Sequence, residues 1–115
     1  MSQRTRNVEQ ISERSHISDL SDHTRWELGC QVNEEDGGKS LWRWLAKELG
    51  LDNEDTERIR SNPNPGYEVI RCWSKRSDST IRVLKHVFRD VFKRKDLVDF
   101  IDKARQSKLV YNVIF

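Results

Sequence analysis

Cysteine is nearly missing from this 115-residue chain: only Cys30 and Cys72 occur, too few for the disulfide framework that braces small secreted domains. Prolines number two and glycines five, so backbone punctuation is sparse and its few sites are informative. No apolar run exceeds a few residues, which excludes a membrane span. The opening Met1-Ser2-Gln3-Arg4-Thr5-Arg6 lacks the apolar stretch of a secretion signal. The three histidines, His16, His23 and His86, are too scattered for metal-ligand spacing. Gly37-Gly38 precedes no Walker-type lysine and serine in correct register. Cys72 and His86 could form a nucleophile and its base, but they fall on separate expected helices, with His86 on a charged side. The residues therefore point to a binding module, with no catalytic group, metal or cofactor expected, and to a reducing, cytoplasmic setting.

What the chain has instead is charge. Charged residues make up 35% and hydrophobic residues 35%, with a net charge of +2, so a small core lies under an ionic surface. Through residue 60 there are 9 Lys and Arg against 13 Asp and Glu, a net of −4; from residue 61 there are 12 against 6, a net of +6. Unlike signs at the two ends of one small domain would let copies attract one another. The length suits one domain with one core.

Residues 1–17 are polar, without period, and read as a disordered lead-in. A first helix starts near Ser21 or Asp22 and ends near Asn33. It carries two weak stripes, Leu28 with Val32 and Trp26 with Cys30, so it is either partly sandwiched or exposes an aromatic. Glu34-Glu35-Asp36-Gly37-Gly38 reads as a loop. Ser40 is placed to cap a second helix whose Leu41, Trp42, Leu45, Ala46 and Leu49 share one side, with Gly50 at the left-handed terminus. Trp44 lies off that stripe, either along the bundle edge or as a partner's anchor. Asp52 with Asp55 resembles a capping box opening a short third helix around Ile59. Asn64-Pro65 opens a fourth, with Val69, Ile70 and Trp73 inward and Arg71, Lys75 and Arg76 outward. Ile81, Leu84, Val87, Phe88, Val91 and Phe92 recur at three- and four-residue steps, the strongest helical signal. Arg82, Lys85, Arg89, Lys93 and Arg94 are expected on the opposite side. Leu97, Val98, Phe100, Ile101 and Ala104 give a sixth helix, and residues 107–115 an apolar tail. Six short helices with brief connections define an all-α bundle.

The ordered set Trp42-Arg43-x-Leu45-Ala46-x-x-Leu49-Gly50-Leu51, Asp55 with Ile59, the proline before helix four, Trp73, Ser79-Thr80-Ile81-x-x-Leu84 and Lys95-Asp96-Leu97-Val98-x-x-Ile101 resembles the death domain family across residues 20 to 104. The resemblance implies a six-helix antiparallel Greek-key bundle over residues 18–106. It also implies homotypic recruitment of other death-domain proteins (receptor, adaptor or kinase), with self-association, in innate-immune or cell-death signalling. Trp26 sits where the family usually shows an aliphatic pattern.

On this reading an acidic surface of Asp52, Glu54, Asp55 and Glu57, with Arg58 beside it, meets a basic surface of Arg71, Lys75 and Arg76 in another molecule. Lys93, Arg94 and Lys95 add a further basic contact, and Trp44 an aromatic one. The alternative is a nucleic-acid-binding bundle using the basic edge of the fifth helix along phosphates, against which Asp90 interrupts the stripe.

Overall fold

A computed structural model describes residues 11–106, and among these the chain forms six α-helices, a short 3-10 turn at Ile17–Asp19 and one two-residue strand pair. The helices are α1 (Asp22–Val32), α2 (Leu41–Glu48), α3 (Asn53–Ile59), α4 (Pro65–Trp73), α5 (Ile81–His86) and α6 (Lys95–Gln106). Their starts follow side-chain chemistry. Ser21, Asp52, Asn64 and Thr80 each accept a backbone N–H three residues on, meeting donors that the first turn leaves unpaired. Pro65 occupies the first turn of α4, where its missing N–H costs nothing. Gly50, with φ of 84°, ends α2 in the left-handed conformation.

The core is continuous. Leu28, Val32, Leu41, Leu45, Val69, Ile70, Ile81, Leu84, Phe88, Leu97 and Ile101 are fully enclosed, and Trp42 and Trp73 are buried among them. The Leu28–Val32 stripe of α1 faces inward while Trp26 remains 43% exposed, so the two-stripe helix resolves as one that presents an aromatic. Helix α1 lies against α4 and also touches α2 and α6, α3 leans on α4, and α5 packs on α6. This all-α packing is the six-helix bundle expected of a death domain fold. The closest approach is at α1 and α4, where a Cβ on Gly29 would collide with the backbone of Tyr67, and one on Gly66 with the carbonyl of Gly29. Two glycines thus set the spacing of the central pair.

The structure corrects four local expectations. Glu35–Asp36 and Lys39–Ser40 (β1 and β2) pair antiparallel instead of forming an open loop. Gly37 and Gly38, at φ of 61° and 84°, supply the two left-handed residues that a tight hairpin demands. Ser40 precedes α2 but its side chain makes no capping bond, although its extended backbone is the one a cap uses. The fifth helical signal is not uniform: α5 gives way after His86 to a π-turn over Val87–Val91. There the Phe92 N–H reaches the Val87 carbonyl and the Arg94 N–H that of Phe88, both at 2.9 Å. Lys93 closes this end at φ of 58°, a left-handed residue without glycine's freedom, at a cost of about 1 kcal/mol.

The fourth correction concerns the lead-in. Residues 11–17 are packed: Ile17 is fully enclosed and Ile11 is buried. The segment is stitched down by backbone bonds Ile17 N–H to Ser79 O (2.8 Å), Ile81 N–H to Ser15 O (3.0 Å), Arg82 N–H to Glu13 O (2.8 Å) and Ile11 N–H to Arg105 O (3.1 Å). His16 Nε2 lies 2.7 Å from the Arg76 carbonyl. With two isoleucines spaced by polar residues, this strap shows no sequence period, which is why it read as disordered. The remainder of that lead-in (1–10) and the apolar tail (107–115) lie outside the described residues.

Candidate interaction surface

The expected acidic and basic surfaces are not at opposite ends of the molecule. Helix α3 leans on α4, and Arg58 Nη2 comes within 3.8 Å of Cys72 Sγ, beside Arg71. Carboxylates and guanidiniums therefore share one surface. Several are also committed within their own helix. Asp52 Oδ1 accepts the Asp55 N–H at 2.8 Å, Asp55 pairs with Arg58 at 2.8 Å, and Glu57 with Arg60 at 3.6 Å. Arg71 binds Glu68, with Nε and Nη2 both 3.0 Å from Oε1. The Asp55 and Glu68 hydrogen bonds raise the pKa of Arg58 and Arg71 respectively above the ordinary arginine value, so both cations are held by their own helices.

Arg76 has a different job from the one its position suggested. Its Nη1 donates to the Leu49 carbonyl and its Nη2 to the Gly50 carbonyl, both at 3.0 Å, so the guanidinium closes the C-terminus of α2. In the turn before α6, Arg94 binds Asp96 through Nε and Nη2, each at 2.8 Å, and Lys95 binds Asp99 at 2.9 Å. Glu54, Lys75 and Lys93 remain exposed, with no ion pair among the described residues.

Trp44 follows its edge reading in part. It is half-buried against the core, its ring 4.6 Å from Phe92, with Lys39 Nζ 4.6 Å above it. The more exposed aromatic is Trp26, tilted against Tyr67 at 5.1 Å. The only sequence signal for that exposure was its place off the Leu28–Val32 stripe.

The basic edge of the fifth helix loses its central member. Lys85 is buried and bridges Glu13 (2.6 Å) and Asp102 (2.7 Å), while Arg105 joins through Asp102 (2.6 Å) and donates to the Ile11 carbonyl (2.7 Å). An acid of the first half thus neutralises bases of the second inside the fold. Burial pushes the Lys85 pKa down, but the Asp102 and Glu13 hydrogen bonds outweigh it and leave it raised. Glu13 is lowered, chiefly by the hydrogen bond from Lys85. Burial raises Asp102, yet Lys85 and Arg105 more than reverse that. A lysine so engaged offers no phosphate contact, and the continuous cationic stripe that a nucleic-acid interface needs is broken.

A closed core, a mixed-charge surface and an architecture helical but for one short hairpin define an all-α bundle. The family model described as the death domain matches residues 33–105, and the chain belongs to the death domain family. Neither a curated protein nor a solved structure gives a significant match. The family's members are protein–protein interaction modules whose partners carry the same kind of fold. No helix among the described residues is long and apolar enough to cross a membrane.

Proposed function

We propose that this domain recruits other death domains in the cytoplasm, as a component of a receptor, adaptor or kinase assembly in innate-immune or cell-death signalling. Docking runs through the outer surface of α3 and α4 and the turn before α6. The observation that carries this reading is the family match over residues 33–105. The charges left uncommitted support the choice of surface: Glu54 on α3, Lys75 just past α4 and Lys93 in the turn have no internal ion pair among the described residues. Around them Asp55, Arg58, Glu68 and Arg71 form pairs that can exchange partners on contact. Each exposed pair contributes only about 0–1 kcal/mol, so stable recruitment needs several contacts or several copies at once.

Binding of the purified chain to a panel of purified death domains tests the proposal. A Lys75→Glu, Lys93→Glu double variant should bind its strongest partner about tenfold more weakly, on the order of 1.4 kcal/mol, with unchanged helical circular dichroism. Failure to bind any death domain overturns the recruitment reading. Undiminished binding by the double variant overturns the choice of surface.

A further inference from the structure

A second pair of surfaces stands apart from α3 and α4. Between the strap and α5 runs an open groove of about 580 Å³ lined by Glu13, Arg82, Val83, Lys85, His86 and Arg89. Glu13 and Lys85 are already satisfied by each other, so what the groove offers a visitor is Arg82, Arg89 and His86 around Val83. Val83, at 40% exposed, is one of two large hydrophobics left on the surface of the described residues. Arg82 has no ion pair among the described residues, and Arg89 has only its sequence neighbour Asp90 at 3.4 Å. Asp90 also takes His86 at 2.8 Å, so one carboxylate serves two bases and the rim stays electropositive. An apolar centre with a cationic rim suits a short acidic segment.

The chain carries such a segment. Glu34 and Glu35 are exposed at the entry of the β1–β2 hairpin, without an ion pair among the described residues. Glu35 opens β1 and Glu34 precedes it, two and three residues before the Gly37-Gly38 turn. The hairpin lies at the far end of the fifth helical segment, because Lys39 covers Trp44 and Trp44 stacks on Phe92. Arg89 is three residues before Phe92 and Arg82 ten, roughly 15 Å along a helix, so the Arg82 end of the groove lies away from the hairpin of its own copy. The geometry points to a head-to-tail contact in which Glu34 and Glu35 of one copy enter the Arg82–Val83–Arg89 groove of the next. Such a contact is heterologous and grows instead of closing into a dimer.

This inference rests on the homotypic reading and names one of its surfaces. Sedimentation velocity of the whole chain across about 10 µM to 1 mM, where weak contacts become populated, tests it with two charge-reversed proteins: Glu34→Lys with Glu35→Lys, and Arg82→Glu with Arg89→Glu. All four side chains are exposed, so circular dichroism should be unchanged. The wild type should grow in mass with concentration, each variant should associate at least about tenfold more weakly, and the two variants mixed should pair with each other. A wild type that stays monomeric throughout, variants that assemble as the wild type does, or a mixture that fails to restore pairing would each overturn the contact. So would duplex DNA binding that is lost in the Arg82→Glu, Arg89→Glu protein while self-association persists. Binding to other purified death domains, measured on the same proteins, reports the broader reading separately.

Discussion

Lys85 shows how one residue's meaning depends on what folds over it. By period it belongs to a solvated basic stripe; in the bundle it fastens the strap to α6 through Glu13 and Asp102. Replacing it with methionine leaves Glu13 and Asp102 to share Arg105 alone. The expected loss is on the order of 2 kcal/mol, below the ~3–5 kcal/mol of a fully buried pair because both acids still reach water; urea denaturation measures it. The pH dependence follows in sign. Glu13 and Asp102 have lowered folded-state pKa values, so their contribution is present above the ordinary carboxylate range and is lost as pH falls below about 4. Lys85 has a raised value, so its contribution holds below about pH 10.5 and fades above. Thermal midpoints measured from pH 7 down to pH 3 should fall, and fall less steeply in Lys85→Met. Equal slopes would mean that the network does not couple to folding.

Among the elements, the α1–α4 pair and the strap carry the clearest demands. Gly29→Ala forces a methyl into the Tyr67 backbone, and overpacking against main chain costs about 1–3 kcal/mol. A melting temperature equal to the wild type's would show that the helices can separate without cost. Ile17→Ala removes a fully enclosed side chain and should cost about 2–5 kcal/mol, with the strap's amides losing hydrogen-exchange protection first. Helices α2, α4 and α6 were legible in the sequence because each keeps a single apolar stripe, with Asn64-Pro65 marking the start of α4 and Gly50 the end of α2. The strap was not, because Ile11, Glu13, Ser15 and Ile17 are anchored by backbone bonds to Arg105, Arg82, Ile81 and Ser79 respectively, which leave no periodic trace. The π-turn was invisible for a related reason. The spacing of Val87, Phe88, Val91 and Phe92 also fits an α-helical stripe, so the pattern cannot tell one winding from the other.

For the whole molecule, the fold class and the tryptophans Trp42 and Trp73 were readable from sequence, whereas the layout of charge was not. A count of −4 and +6 by halves describes the chain, but folding sets Glu13 on Lys85 and α3 beside α4, so the signs interleave. On the proposed reading, partner binding depends on the few ions left uncommitted, not on a gross dipole. The most direct measurement is a ¹H–¹⁵N NMR titration of the labelled domain with an unlabelled death domain that binds it. Shift changes should concentrate at Glu54, Arg71, Lys75 and Lys93, leaving the amides of Leu45, Ile70 and Ile101 in place. Spectra unmoved by every death domain tried, or changes centred on those buried positions, would contradict recruitment through this surface.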